Sequence, residues 1–333
     1  MSHRFIFKKL QPNPLLRRTK QSSITIKFNE KIQENKSMIS VSDPQPTPTQ
    51  ADIEVRTHQI MSGLIARTAQ LTNVESLVYK TIGPTPLLLH ILKPVRPIAT
   101  PTPALVFFFG GGWDFGSIEQ FLAHALYFRE RGFVTILVDY RVKSRHDTGP
   151  MESILDAKSS IRWIRAHAET YGIDPHKIIA VGGSSGAHLA VSSILLSHLD
   201  EAAEDHHISA KPDTAILLNP PLDLISLAQD HDALAQKFNL QDNDIVRISP
   251  IHNVHSVTIP VFILHGTADQ QVPFEHSHLF CKKMQEYGND CQLISLEGYD
   301  HGFFNYTLDS LSQFSMSLQK IEDILAAMDY LPS

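Results

Sequence analysis

Four segments of this chain hold residue types whose spacing suits covalent chemistry. Lys177–Leu195 reads as an apolar strand, Ile178–Val181, running through Gly182-Gly183-Ser184-Ser185-Gly186 into a helix. This fits Gly-x-Ser-x-Gly with Ser184 in the centre. A sharp strand-to-helix turn strains its central residue and needs small neighbours. It lifts the hydroxyl clear of the sheet, to a helix N-terminus whose dipole favours a developing oxyanion. Ser185 is the rival nucleophile, but Ala187 stands two residues on, where Gly is usual, so Ser184 is preferred. A serine hydroxyl is a poor nucleophile at its ordinary pKa and needs a base and an orienting acid. Of 18 histidines, position selects His301, in Gly298-Tyr299-Asp300-His301-Gly302-Phe303 after the last expected strand. Asp269, in His265-Gly266-Thr267-Ala268-Asp269, follows the expected strand Val261–Leu264. Asp300 adjoins His301 and reads as structural or solvated, because sequence neighbours rarely orient one another. A fourth segment, Gly110-Gly111-Gly112-Trp113, ends the apolar run Leu105–Phe109. Consecutive glycines let backbone N–H groups approach an anion closely. Nucleophile, base, acid and anion cradle together describe acyl transfer through a serine.

Competing chemistries lack their spacing. Gly110 to Gly116 contains neither Gly-x-Gly-x-x-Gly nor a following Lys-Ser/Thr, which excludes the glycine-rich nucleotide motifs. No His-Glu-x-x-His or Cys-x-x-Cys occurs, and His206-His207 lies in a polar stretch that reads as solvated surface. No metal and no organic cofactor is expected. Cys281 and Cys291 read as reduced, buried thiols, and two cysteines make no disulfide framework.

These residues need a scaffold that brings them together. Leu105–Phe109, Phe133–Val138, Ile178–Val181 and Ala215–Leu218 are apolar throughout rather than alternating, as in strands covered on both faces. Val261–Leu264 and Gln292–Leu296 extend the series, and Leu77–Ile82 and Leu87–Leu92 flank Gly83-Pro84-Thr85-Pro86 as a hairpin. The spacing predicts one helix over Met151–Tyr171, with Ile154, Ala157, Ile161, Ile164, Ala168 and Tyr171 on one stripe and Gly172 as its stop. A further helix is expected over Ile53–Gln70. Strands alternating with amphipathic helices predict an α/β protein with a mostly parallel central sheet, helices on both faces and an antiparallel N-terminal hairpin. Functional groups in such sheets gather at the carboxyl ends of the strands, where Ser184, Asp269 and His301 all fall.

The chain has 333 residues, 42% of them hydrophobic, and a net charge of −6. That suits a large α/β domain and excludes disordered, collagen-like and coiled-coil chains. No run approaches the ~18 apolar residues of a membrane span. Residues 1–29 hold seven Lys or Arg and no acid, so the remainder is more acidic than the whole, a poor nucleic-acid binder. Residues 1–50 are expected to be a disordered leader or linker, ending in the Pro-rich stretch Asp43–Thr49. An upstream start codon, with Met38 as the effective start, is preferred over a targeting peptide. No secretory apolar core is readable, which slightly favours a cytoplasmic location. Residues 51–333 are expected to form a single domain with a small cap-like insertion near 220–258. That insertion is acidic (Asp223, Asp230, Asp232, Asp242, Asp244), not a broad apolar lid.

The triple glycine, Asp139-Tyr140-Arg141, the Gly182–Gly186 elbow, His265–Asp269 and Asp300-His301-Gly302-Phe303 together resemble the α/β-hydrolase superfamily. The chain order Ser184, Asp269, His301 is that of the superfamily. The resemblance covers roughly 77–327 and is strongest to its small esterase/lipase branch, which includes hormone-sensitive-lipase-type and acetyl or acetylxylan esterases. It implies that Ser184 attacks an ester carbonyl, His301 moves the proton and Asp269 orients His301. It also implies that the N–H groups of Gly111, Gly112 and Ser185 hold the oxyanion of a covalent acyl-enzyme pathway. Three departures stand out. Phe109 replaces the usual His before the glycines. Ser185 and Ala187 alter the usual Ser-Ala-Gly-Gly. Gly183 replaces the Asp of hormone-sensitive-lipase elbows, which points to the acetyl-esterase side. The expected substrates are short acyl esters, acetyl to butyryl, with acetylated carbohydrate as the lead class. Trp113 either stacks on a sugar or narrows the acyl pocket, with plain packing an equal reading. Homodimers are common in the family, though no signal for one is readable here. A prolyl-oligopeptidase-type serine peptidase shares the triad order, but the chain lacks room for a propeller domain. Hydrolase-like binding proteins generally lose a triad member, and none is lost here.

Overall fold

A computed structural model describes residues 74–96, 101–227, 231–307 and 310–332. The leader over 1–50, the helix expected over Ile53–Gln70 and residues 97–100 of the Pro-rich connection lie outside them. Eight strands form one sheet: β1 (Val74–Ile82), β2 (Thr85–Leu92), β3 (Thr102–Phe108), β4 (Val134–Val138), β5 (Ile173–Gly183), β6 (Thr214–Leu218), β7 (Val261–Gly266) and β8 (Cys291–Leu296). Their order is β1-β2-β4-β3-β5-β6-β7-β8. β1 pairs antiparallel with β2, and β2 with β4; every pairing from β4 to β8 is parallel. The expected hairpin and parallel body are both present.

The apolar runs are strands because both faces are covered: every residue of β3, β4, β6 and β7 is buried. The helices are α1 (Leu122–Arg129), α2 (Lys143–His146), α3 (Pro150–Ala166), α4 (Ala168–Tyr171), α5 (Ser185–Leu195), α6 (His231–Phe238), α7 (Asp242–Ile248), α8 (Phe274–Glu286) and α9 (Leu311–Ala327). None of the described helices is long and apolar enough to cross a membrane. Both α6 and α7 lie between β6 and β7, in the expected insertion.

The single helix expected over Met151–Tyr171 is instead two. α3 starts well, with Pro150 at its first turn and Glu152 Oε2 accepting the Gly149 N–H at 2.9 Å. It ends at His167, whose φ of −109° and ψ of 13° leave the helical range. The His167 ring stacks on Trp163 with centroids 3.9 Å apart, and its Nδ1 lies 2.8 Å from the Trp163 carbonyl oxygen. The His167 N–H still reaches that carbonyl at 3.1 Å, so the ring adds a second donor to the last turn. Gly172, at φ 68°, closes α4 as the sequence predicts.

Strand order sets the place of the site. After β3 the chain moves outward to β4, then returns across β3 to lay down β5 on its other side. The order therefore reverses between β3 and β5, where the loops after adjacent strands diverge and open a crevice. The glycine run leaves β3 at this crevice, and Ser184 leaves β5 beside it.

Candidate active site

Ser184 sits between the end of β5 and the start of α5, with φ 52° and ψ −123°. Such a conformation is costly for a residue with a Cβ, and the turn holds it by backbone bonds. Ser184 N–H donates to the Leu218 carbonyl at 2.8 Å, while the Ser184 carbonyl accepts from Ala187 and His188. Ser184 Oγ lies 2.9 Å from His301 Nε2, and His301 Nδ1 lies 2.7 Å from Asp269 Oδ2. A carboxylate only accepts, so Nδ1 carries the proton and Nε2 accepts from the serine hydroxyl. The residues selected by sequence at 184, 269 and 301 are thus brought into one hydrogen-bonded line.

The neighbours that competed for these roles are placed elsewhere. Ser185 is fully buried and packs beside Tyr140. Asp300 Oδ1 accepts the Gly302 N–H at 3.0 Å, an exposed turn contact. His206 and His207 are exposed, as expected of a solvated loop.

Asp269 is held from three sides. Its Oδ1 accepts the N–H groups of Gln271 and Val272 at 2.8 and 2.9 Å. Burial works against its charge. The hydrogen bonds from His265, His301 and Val272 outweigh that cost and hold the carboxyl below the usual carboxylate range.

The glycine run folds back on itself: Asp114 and Phe115 N–H groups both donate to the Gly111 carbonyl at 3.2 Å. Gly111 has φ 135°, and a Cβ there would sit 2.2 Å from the Phe115 carbonyl oxygen, so only glycine serves. Ser185 opens α5, so its N–H has no intrahelical acceptor. Phe109 takes over the bracing expected of a histidine at that position. Its ring stacks on Tyr140 at 4.1 Å, and the Tyr140 hydroxyl donates to the Phe109 carbonyl at 2.5 Å. A second departure also has a physical reason. A Cβ on Gly183 would lie 2.4 Å from the Phe304 ring, so an aspartate could not stand there.

Trp113 directly follows the glycines with φ 58° and is 3% exposed. Its indole meets His188 edge-on at 5.0 Å and Phe238 of α6 at 6.4 Å. His188 Nε2 lies 2.7 Å from the Ile248 carbonyl, and burial pushes its pKa down to about 4. The indole is therefore a buried wall and presents no open face on which a sugar could stack. Asp114 pairs with Lys237 of α6 at 2.7 Å, tying the insertion to the glycine loop.

Two residues that sequence reading passed over hold this site together. Asn219, buried at the end of β6 with φ 47°, donates through Nδ2 to the carbonyls of Asp300 and His301 at 3.0 and 2.9 Å. Its Oδ1 accepts the Gly266 N–H at 2.9 Å, so one side chain joins the histidine loop to β7. Its one readable signal was an amide at the carboxyl end of an apolar strand. Gln120 Oε1 accepts the Gly110 N–H at 2.6 Å, and its Nε2 donates to Asn305 Oδ1 at 3.0 Å. It couples the glycine loop to the segment after His301. Gln120→Ala should lower kcat by about 10- to 100-fold through misplacement of the loop. The melting temperature should change little, which steady-state kinetics beside thermal unfolding would read.

The BD-FAE family profile matches residues 89–284. Esterase LipQ of Mycobacterium tuberculosis is 32% identical over 251 residues, covering 70% of this chain and 58% of that protein. A carboxylic ester hydrolase of the same organism, LipM, described as probable, is 26% identical over 214 residues, covering 58% of this chain and 47% of that protein. The chain thus spans about half the length of these curated relatives. The solved apo form of Thermogutta terrifontis esterase 2 superposes with a TM-score of 0.73 at 39% identity, covering 79% of this chain and 97% of that one. The same esterase has been solved with propionate and with butyrate bound. With the sheet order and the strand-to-helix serine turn, these matches mean that the chain belongs to the BD-FAE family of the α/β-hydrolase esterase/lipase superfamily.

Proposed function

We propose that the protein is a serine carboxylesterase of short-chain acyl esters, acetyl esters foremost. The observation that carries this reading is the line Ser184 Oγ, His301, Asp269 Oδ2, with links of 2.9 and 2.7 Å, beside the glycine loop. Ser184 attacks the ester carbonyl as its proton passes to His301 Nε2. Asp269 stabilises the imidazolium that forms. The tetrahedral oxyanion is held by the N–H groups of Gly111, Gly112 and Ser185, where loss of one such donor typically costs about 3–4 kcal/mol. Collapse transfers the proton to the leaving alkoxide and leaves an acyl-enzyme, which water hydrolyses by the same steps in reverse order.

The short acyl preference rests on Trp113, whose buried indole, backed by His188 and Phe238, limits the room behind the glycine loop. It is also supported by the solved relative that holds propionate and butyrate. Residues 220–258 are read as a small cap over this side, and acetylated carbohydrate as the natural substrate class by resemblance. Hydrolysis of p-nitrophenyl acetate, butyrate, octanoate and palmitate tests the reading. kcat/KM is expected to be highest at acetate or butyrate and to fall steeply by octanoate. A rise toward palmitate would overturn the acyl assignment. No turnover of any ester would end the esterase reading, and acetylated xylan would test the alcohol side.

A further inference from the structure

A second imidazole reaches the carboxylate that faces His301. His265, in β7, is fully buried. Its Nε2 lies 3.0 Å from the Val272 carbonyl oxygen and 3.3 Å from Asp269 Oδ2. Its Nδ1 lies 2.7 Å from Ser277 Oγ on α8. The carbonyl can only accept, so Nε2 bears the proton and Nδ1 accepts from the Ser277 hydroxyl. This settles the tautomer. Asp269 Oδ2 therefore faces two imidazole donors, His301 at 2.7 Å and His265 at 3.3 Å.

We infer that His265, oriented by Ser277, is a positioning residue that sets how strongly Asp269 holds the imidazolium of His301. Its kinetic consequence rests on the esterase reading above. A buried carboxylate needs donors to stay ionised. A carboxylate with a single imidazole partner binds the protonated form of that partner too well, and the base is then free only at higher pH. A second donor on the same oxygen spreads the negative charge and eases that grip. The Val272 carbonyl keeps the His265 proton shared, so His265 tempers Asp269 without displacing His301. Other titratable groups around this line have partners of their own. His276 Nε2 lies 3.0 Å from Ser226 Oγ, and Glu275 faces His278. Asp223 accepts the N–H groups of Ile225 and Ser226, and Asp300 that of Gly302.

The test compares His265→Leu, His265→Gln and Ser277→Ala. The glutamine keeps an N–H donor near the place of Nε2; the leucine does not. Two readouts are taken: the pH profile of kcat/KM on p-nitrophenyl acetate, and the NMR titration of the His301 ring, which needs no turnover. His265→Leu is expected to lower kcat about 10-fold with KM within about 2-fold. It should move the acid limb and the His301 titration up by about half a pH unit or more. His265→Gln should restore most of both, and Ser277→Ala should produce a smaller upward shift. Leucine and glutamine variants that behave alike, or an unmoved His301 titration, would overturn the inference. If the leucine variant fails to fold, an unmoved titration in Ser277→Ala overturns it equally. Failure of the wild-type protein to turn over any ester would fall on the esterase reading alone, because the titration still decides the role of His265.

Discussion

Ser184→Ala should lower kcat on p-nitrophenyl acetate by about 10⁴-fold or more, with the fold retained. The hydroxyl is the only atom lost, and its partner is His301 Nε2 at 2.9 Å. The backbone bonds that shape the turn, from Ser184 N–H to Leu218 and from Ala187 and His188 to the Ser184 carbonyl, remain. Ser184→Gly should be equally inactive but more stable by about 1–2 kcal/mol, since glycine relieves the strain at φ 52°. Inactivity accompanied by a higher melting temperature would mark this backbone as shaped for chemistry at the expense of stability. Ser185→Ala is the control. Its buried side chain is removed, but its N–H at the head of α5 stays, so most turnover should survive. The converse result, activity retained in Ser184→Ala and lost in Ser185→Ala, would move the nucleophile by one residue.

What could be read in the sequence was whatever local pattern determines. Continuous apolar runs marked β3, β4, β6 and β7, because a strand buried on both faces leaves no polar positions. β5 runs back to Ile173, further than its apolar run at 178–181. The polar stretch Asp174–Lys177 carries no strand signal and is drawn in by pairing between Thr102 and Ile173. The serine turn was legible because strand, small residues and helix are contiguous. Asp269 and His301 were legible from their place after strands. The supporting residues were not, since their partners lie far along the chain. Gln120 bonds Asn305, 185 residues away, and Asn219 bonds the carbonyl of His301, 82 residues away. Nothing near Gln120 distinguishes it from a surface glutamine. His265 stood just after the expected strand Val261–Leu264, and its carboxylate partner four residues on is reached only because the loop turns back. Trp113 was read as a stacking surface, a wall of the acyl pocket or plain packing. The packing of His188 and Phe238 on its ring removes the stacking surface.

Asp269→Asn should cost about 10⁴-fold in kcat, while Asp300→Asn should stay within about 3-fold of wild type. The geometry explains why an isosteric change is so damaging. The N–H groups of Gln271 and Val272 both point at Oδ1. In the asparagine variant that atom must remain the carbonyl oxygen, so the amide nitrogen takes the place of Oδ2. It then presents N–H groups to His301 Nδ1 and to His265 Nε2, which itself bears a proton. His301 responds by accepting at Nδ1 and carrying its proton on Nε2, the tautomer that cannot take a proton from Ser184. Asp300→Asn, by contrast, keeps an Oδ1 that can accept from Gly302 N–H. The same substitution should also change acid stability. The folded state holds the Asp269 carboxyl below its unfolded pKa, so its contribution is fully present above about pH 4 and fades as pH falls toward the folded value. Asparagine does not titrate. The stability gap between wild type and Asp269→Asn, read by thermal unfolding across pH, should therefore be largest near neutrality and shrink below about pH 4. A gap that stayed constant down to low pH would mean that the carboxylate's charge does not stabilise the fold. The catalytic loss would then have to come from the tautomer of His301 alone.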